Sequence, residues 1–186
     1  FIVRAKKSKN AKEYTAILPQ FEKLYQQIAP YSLSRDYFME VALRNGELLA
    51  AAWRVYGVES ALNNEAQFQS RKANLLRSQE RFYKNYNKDV DQDVFKAIVT
   101  LYKEKAPKAY LAPELQQADV ASLTKDIYTN SKLTTYEGLK ELLSGDAKQV
   151  KAALLADQGY VFAKSLIENY QTAILPQYEA LDLEIK

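Results

Sequence analysis

Between Asp89 and Pro107 the chain repeats its apolar residues at three- and four-residue intervals, as Val94, Ile98, Leu101 and Phe95, Val99, Tyr102. That spacing sets them on one broad face of an α-helix. Asp89, Asp91 and Asp93 crowd the first turn, where carboxylates cap free amides and meet the positive end of the helix dipole. Lys103 and Lys105 sit near the last turn, and Pro107 stops the helix. Five glycines and five prolines in 186 residues are too few for a turn-rich β-sandwich. Alanine, leucine, lysine, glutamate and glutamine dominate instead, and all favour helix. The expected fold is all-α, an irregular bundle of about 7–9 helices, in a single domain spanning residues 1–186.

Composition then removes chemistries. The sequence has no histidine and no cysteine. A Ser-His-Asp triad, histidine-based zinc and imidazole acid–base catalysis are therefore impossible within it, as are disulfides and thiolate chemistry. A net charge of +3, from 26 basic and 23 acidic residues, does not call for nucleic acid. No apolar run approaches the ~20 residues that span a bilayer. Fourteen tyrosines against one tryptophan and one methionine point to amphipathic packing, with rings buried and hydroxyls reaching polar partners. No signal peptide is visible. Phe1-Ile2-Val3 and Ile185-Lys186 carry no terminal signature, so the chain reads as a segment of a longer protein.

Residues 1–10 are basic and unpatterned. From Ala11 to Ala29 the stripe Tyr14, Ile17, Leu18, Phe21, Leu24, Tyr25, Ile28 predicts a helix kinked at Pro19 and ended by Pro30. Ser34 is expected to cap a second helix that runs to Tyr56 and closes at Gly57. A third spans about 64–86, with Phe68, Leu75, Phe82 and Tyr86 on one side. Arg71, Lys72, Arg77, Arg81, Lys84 and Lys88 make this helix basic. Such a face can hold phosphates, yet it more often lies in solvent or pairs with acids, so an RNA-binding bundle is the weakest reading. Pro113 opens a short helix and residues 119–129 form another. Thr134 with Glu137 reads as a capping box, Gly145 closes that segment, and Asp146 caps the next. A long last helix starts near Gly159. The octapeptide at Thr15–Glu22 recurs at Thr172–Glu179 with one conservative change, so the long first and last helices are expected to share a proline kink, side by side.

No self-contained active site is legible. Glu40 and Glu47 flank Arg44 at ion-pair spacing. Lys164 and Ser165 are adjacent, so they point apart on a helix. Asp89, Asp91 and Asp93 lack the glycine and closing glutamate of a calcium loop, and no metal or cofactor site is expected. Asn45, beside Gly46, stands out as a polar amide on an apolar helical stripe. Such a group bonds a neighbouring helix or faces a cleft, since leaving it unpaired costs roughly 1–3 kcal/mol.

Three stretches carry a family resemblance. Arg81-Phe82-Tyr83-Lys84-Asn85-Tyr86 with Asp91 and Val94-Phe95, then Leu111-Ala112-Pro113-Glu114-Leu115, resemble a segment of the bacterial serine dipeptidyl-peptidases, the dipeptidyl-peptidase 7 and 11 family. Ser131-Lys132-Leu133-Thr134 with Leu142-Leu143, and Leu175-Pro176-Gln177-Tyr178-Glu179-Ala180, are similar too. Before the last helix the family pattern has Asp-Pro where this chain has Asp157-Gln158-Gly159. The resemblance implies a chymotrypsin-like double barrel interrupted by a helical domain, of which this chain is the helical part. It implies a peptide substrate shared with a flanking catalytic domain, a lid over the cleft, and a periplasmic or secreted parent, with a homodimer compatible. It makes Asn45 the candidate contact to the substrate backbone. The rival reading is a free-standing helical interaction domain.

Overall fold

The computed structural model describes residues 11–186, apart from the side chain of Tyr14. The expected basic stretch 1–10 lies outside the described residues. Helix α1 spans Ala11–Met39 and passes into a π-helical turn, Glu40–Asn45. The helices α2 (Glu47–Glu59), α3 (Glu65–Lys84) and α4 (Lys88–Lys105) follow. After them come α5 (Pro113–Gln117), α6 (Val120–Asn130), α7 (Tyr136–Leu142) and α8 (Ala147–Ala156). The long last helix comprises α9 (Gln158–Asn169), a π turn at Tyr170–Ile174 and α10 (Leu175–Ile185). Among the described residues there is no strand, and the all-α expectation holds.

Side-chain caps start most of these helices. Asn64, Asn87, Asp119, Asp146 and Asp157 each accept a backbone N–H of the first turn, and Asp146 with Gln149 completes a capping box. The box expected from Thr134 with Glu137 does not form, since the cap falls one residue later and its third helical residue is Gly138. Thr135 caps α7, while buried Thr134 bonds back to the carbonyl of Ser131.

Pro30 does not end the first helix. The chain runs helically through it to Met39. A proline inside a helix costs about 3 kcal/mol, but the next turns bury Phe38, Val41 and Ala42 completely or nearly so. Each large apolar side chain removed from water returns roughly 1.5–3 kcal/mol, so packing outweighs the local rule. Ser34, expected as a cap, lies mid-helix and donates to the carbonyl of Pro30 at 2.8 Å. The second helix begins at Glu47 rather than near Ser34 and passes through Gly57. Gly46 makes that break possible. It is extended (φ −94°, ψ 105°), and a Cβ there would stand 2.6 Å from the carbonyl of Val41.

Helix α9 is the central element and touches α2, α5, α6 and α8. Around it one continuous core holds Phe38, Leu48, Phe95, Val99, Tyr128, Leu133, Leu154 and Tyr160, all at most 1 % exposed. Phe38 stacks on Tyr170 at 4.2 Å, joining the end of α1 to the second π turn. Arg35 lies over the ring of Tyr178 at 5.0 Å. These two pairs run in opposite directions, so α1 packs side by side and antiparallel with the π turn and α10, which together carry the second copy of the octapeptide.

Candidate functional site

The first π turn, the start of α2 and the first turn of α4 meet at one buried carboxylate. Asp91 is 3 % exposed. One oxygen accepts from the backbone amide of Glu47 at 2.9 Å, and the other from the amide of Leu48 at 3.1 Å. Tyr86 and Tyr128 donate their hydroxyls to that second oxygen at 2.9 and 2.6 Å. Asp91 thus caps a helix other than its own, placing a negative charge against the free amides at the start of α2. Burial, then the Asp91 charge, push the tyrosine hydroxyls of Tyr86 and Tyr128 well above their ordinary range. Burial, then Asp91, also raise the carboxyl of Glu47.

Asn45 ends the π turn beside this hub. It is not on a buried stripe. It is exposed, and its amide nitrogen donates to Glu40, to a carboxylate oxygen at 2.7 Å and to the carbonyl at 3.3 Å. Arg44 binds the other oxygen of Glu40. The π geometry shifts the register by one residue after Met39, which turns Asn45 out of the stripe that regular 3.6-residue spacing gave it. Among the described residues no hydrogen bond engages its carbonyl oxygen.

The polar amide that does occupy an apolar stripe is Gln79. It lies between Leu75 and Phe82 on α3 and is 3 % exposed. Its Nε2 reaches Ser78 Oγ at 3.4 Å, and among the described residues its Oε1 has no hydrogen-bond partner. The rule that singles out Asn45 applies to Gln79 with greater force, because α3 is regular there and keeps its period. Gln79 lines an open cleft of ≈ 430 Å³ between α2 and α3, together with Glu47, Arg54, Ser78, Arg81, Phe82 and Asn85. Among the described residues, neither Arg54 nor Arg81 has an acid within ion-pair distance. Other cations of the basic helix are committed elsewhere, Arg77 excepted. Arg71 donates to Gly57 O and Ser60 Oγ, Lys72 lies over Phe68, and Lys84 approaches Glu80 at 3.7 Å.

Two further carboxylates serve architecture. Asp157 accepts from Ser131 Oγ, the Lys132 amide and the Tyr160 amide at 2.7, 2.7 and 2.9 Å, fastening the 131–134 turn to α9. Glu59 takes Lys164 Nζ at 2.8 Å and the hydroxyl of Tyr160, fastening α2 to α9. Lys164 is thereby engaged with Glu59, and Ser165 donates to Phe162 O at 2.8 Å, so the two adjacent residues form no dyad. Among the described residues no three acids converge on a point that would hold a metal ion, and no helix is long and apolar enough to cross a membrane. The sequence has no histidine, so no Ser-His-Asp triad can be assembled from it.

A model of the peptidase S46 family matches residues 2–186. The chain belongs to that family. It is similar to an Asp/Glu-specific dipeptidyl-peptidase of Flavobacterium psychrophilum, 43% identical over 175 residues, which is 93% of this chain and 24% of the relative. A protein of the same description from Capnocytophaga gingivalis is 33% identical over 181 residues, 96% of this chain and 25% of that relative. The S46 chain therefore spans about a quarter of the length of the curated relatives it matches. Of the residues that carry the resemblance, Tyr83 and Leu133 prove to be in contact. The hydroxyl of Tyr83 donates to the carbonyl of Leu133 at 2.6 Å. Tyr86 and Asp91, from the same stretch, form the hub described above.

Proposed function

We propose that this S46 chain is the helical domain of a dipeptidyl-peptidase, inserted in or joined to a catalytic domain that holds the nucleophile and base. The parent would release dipeptides from the free amino end of peptides. The helical domain would cover the cleft, close on the substrate and restrict entry to peptide termini. One observation carries the reading: the segment matches about a quarter of each named dipeptidyl-peptidase while its sequence has no histidine to run a triad. A periplasmic or secreted location and a homodimeric parent belong to the same proposal.

Within it, Asn45 offers the substrate its carbonyl oxygen from the exposed turn, which can accept a backbone N–H of the peptide. Glu40 holds the other half of the amide and fixes which way the oxygen points. The Asp91 hub serves this geometry from behind by locking the start of α2 against α4.

The test is the purified segment. It should be helical by circular dichroism and inert towards dipeptidyl substrates, while the full-length parent turns them over. Hydrolysis by the segment alone, lost on a point substitution within it, would overturn the assignment.

A further inference from the structure

Along α1 the residues Ile17, Phe21, Leu24, Ile28, Tyr31, Arg35 and Phe38 follow one another at alternating steps of four and three. That is the spacing of a coiled-coil seam, along which a second helix packs. The second π turn and α10 supply the facing row, Tyr170, Ile174, Tyr178, Leu181 and Ile185. Phe38 on Tyr170 and Arg35 over Tyr178 fix the antiparallel direction. Stepping along both rows from Arg35 and Tyr178 sets Leu181 level with Tyr31 and Ile185 level with Ile28. Burial agrees. Among the described residues, nothing in α1 before Ile28 is buried. Ile17 and Leu24 are half-buried, and Tyr25 beside them is 58 % exposed. The seam of α1 outruns the helix that covers it.

An overhang of this kind does not hold itself. Isolated helices below about 12–15 residues are marginal in water, and Pro19 inside this one removes a further backbone bond. The repeated octapeptide shows which partner it fits. Thr172–Glu179 matches Thr15–Glu22 except for Tyr178 in place of Phe21, and there the same residues lie against an antiparallel helix, with Ile174 fully buried and Tyr178 beneath Arg35. We propose that Ile17 and Leu24 are docking positions for an antiparallel helix in line with α10, supplied by the part of the dipeptidyl-peptidase parent outside residues 1–186. The chain spans about a quarter of the relatives it matches, so ample polypeptide is there to supply it. Residues 1–10 do not fit the seam. Their large apolar side chains are the consecutive Phe1, Ile2 and Val3, not a row at three- and four-residue spacing, and Arg4, Lys6, Lys7 and Lys9 follow. The two paired helices then form a stalk that carries the bundle, with both π turns at the junction.

The stalk rests on the dipeptidyl-peptidase reading only for the identity of the longer protein, and its test reads amide exchange rather than turnover. Hydrogen–deuterium exchange is compared between the 186-residue chain and the full-length parent. Amides of residues 15–24 should exchange roughly tenfold or more slowly in the parent, approaching those of residues 28–38. In the parent, Ile17→Asp and Leu24→Asp should each abolish that protection. Gln26→Asp, exposed on the opposite face of α1, should leave it in place. The core amides around Phe95 and Val99 report that the bundle stays folded in every variant. Equal exchange of residues 15–24 in the two proteins would overturn the proposal, and slow exchange in both would assign the cover to residues 1–10. Protection that appears in the 186-residue chain as its concentration rises would overturn it too, in favour of a second copy on the seam. So would protection in the parent that survives both seam substitutions. A parent that shows the protection but releases no dipeptides keeps the stalk and loses the lid. A parent that releases dipeptides without the protection does the reverse.

Discussion

Replacing Asp91 by alanine removes a carboxylate that is 3 % exposed and accepts four hydrogen bonds, two from backbone amides and two from tyrosine hydroxyls. The hydroxyls can rotate toward other acceptors. The amides of Glu47 and Leu48 cannot, because α2 fixes them. A buried donor stripped of its partner costs about 1–3 kcal/mol, so these two amides set a floor near ~2 kcal/mol. Breaking a buried charged network typically costs about 3–5 kcal/mol. For a chain of this size each kcal/mol moves the melting temperature by about 2–4 °C, which predicts a fall of roughly 6–20 °C. Asp89→Ala and Asp93→Ala are the controls. Both are exposed, Asp89 in the first turn and Asp93 in the turn after it, where a carboxylate near the dipole is worth at most about 0.3–1 kcal/mol. Thermal melts by circular dichroism and urea titrations of the three variants give the comparison. Asp91→Ala within ~1 kcal/mol of its neighbours would refute the trans-capping argument, whose whole content is that the three aspartates differ.

Two glycines should respond to alanine with opposite signs. Gly57→Ala, inside α2 with nothing within 4 Å of a new Cβ, should stabilise by about 0.5–1 kcal/mol. Gly159→Ala would set a Cβ 2.5 Å from Ser131 Oγ and disturb the Asp157 hub, destabilising by about 1–3 kcal/mol in the same melts. Alkali supplies a further expectation. Tyr83, Tyr86, Tyr102, Tyr128 and Tyr160 are all raised above the ordinary tyrosine range, each chiefly by burial. Raised folded-state values mean that this stabilisation is complete below about pH 10, where unfolded tyrosine begins to ionise, and is lost as pH climbs further. Tyrosinate absorbance of these groups should therefore appear together with loss of helicity, not before it. In the full-length parent, Asn45→Ala should lower turnover about two- to tenfold, the worth of one hydrogen bond, without moving the melt. Parental kinetics would leave Asn45 only its bond to Glu40.

Periodicity made most of the helices legible, and α4 was readable in its extent, although Asn87 caps it in place of the aspartates and Asp91 caps α2 instead. Pro30 misled because proline rules are local, whereas Phe38, Val41 and Ala42 pull the helix onward by burial that no local pattern measures. The three aspartates of α4 look alike in sequence. Only the approach of α2 and α6 distinguishes Asp91, and those contacts join residues 37 to 44 positions apart. Asn45 and Gln79 reverse each other's fates for one physical reason. A π turn slips the register at Asn45, and α3 keeps it at Gln79. The cleft was half visible, since the basic helix was plain in sequence. Which of its cations stay unpaired is decided by partners such as Gly57 and Ser60 on α2 and the turn after it, which no spacing rule identifies.

The central claim is that these helices cover a catalytic cleft supplied by the rest of the parent. Hydrogen–deuterium exchange of the full-length parent, with and without a non-hydrolysable dipeptidyl inhibitor, measures that most directly. Slowed exchange around residues 40–48, with the segment's core amides unchanged, is the result expected of a lid that closes on its substrate. Exchange identical in both states throughout residues 11–186 would contradict it.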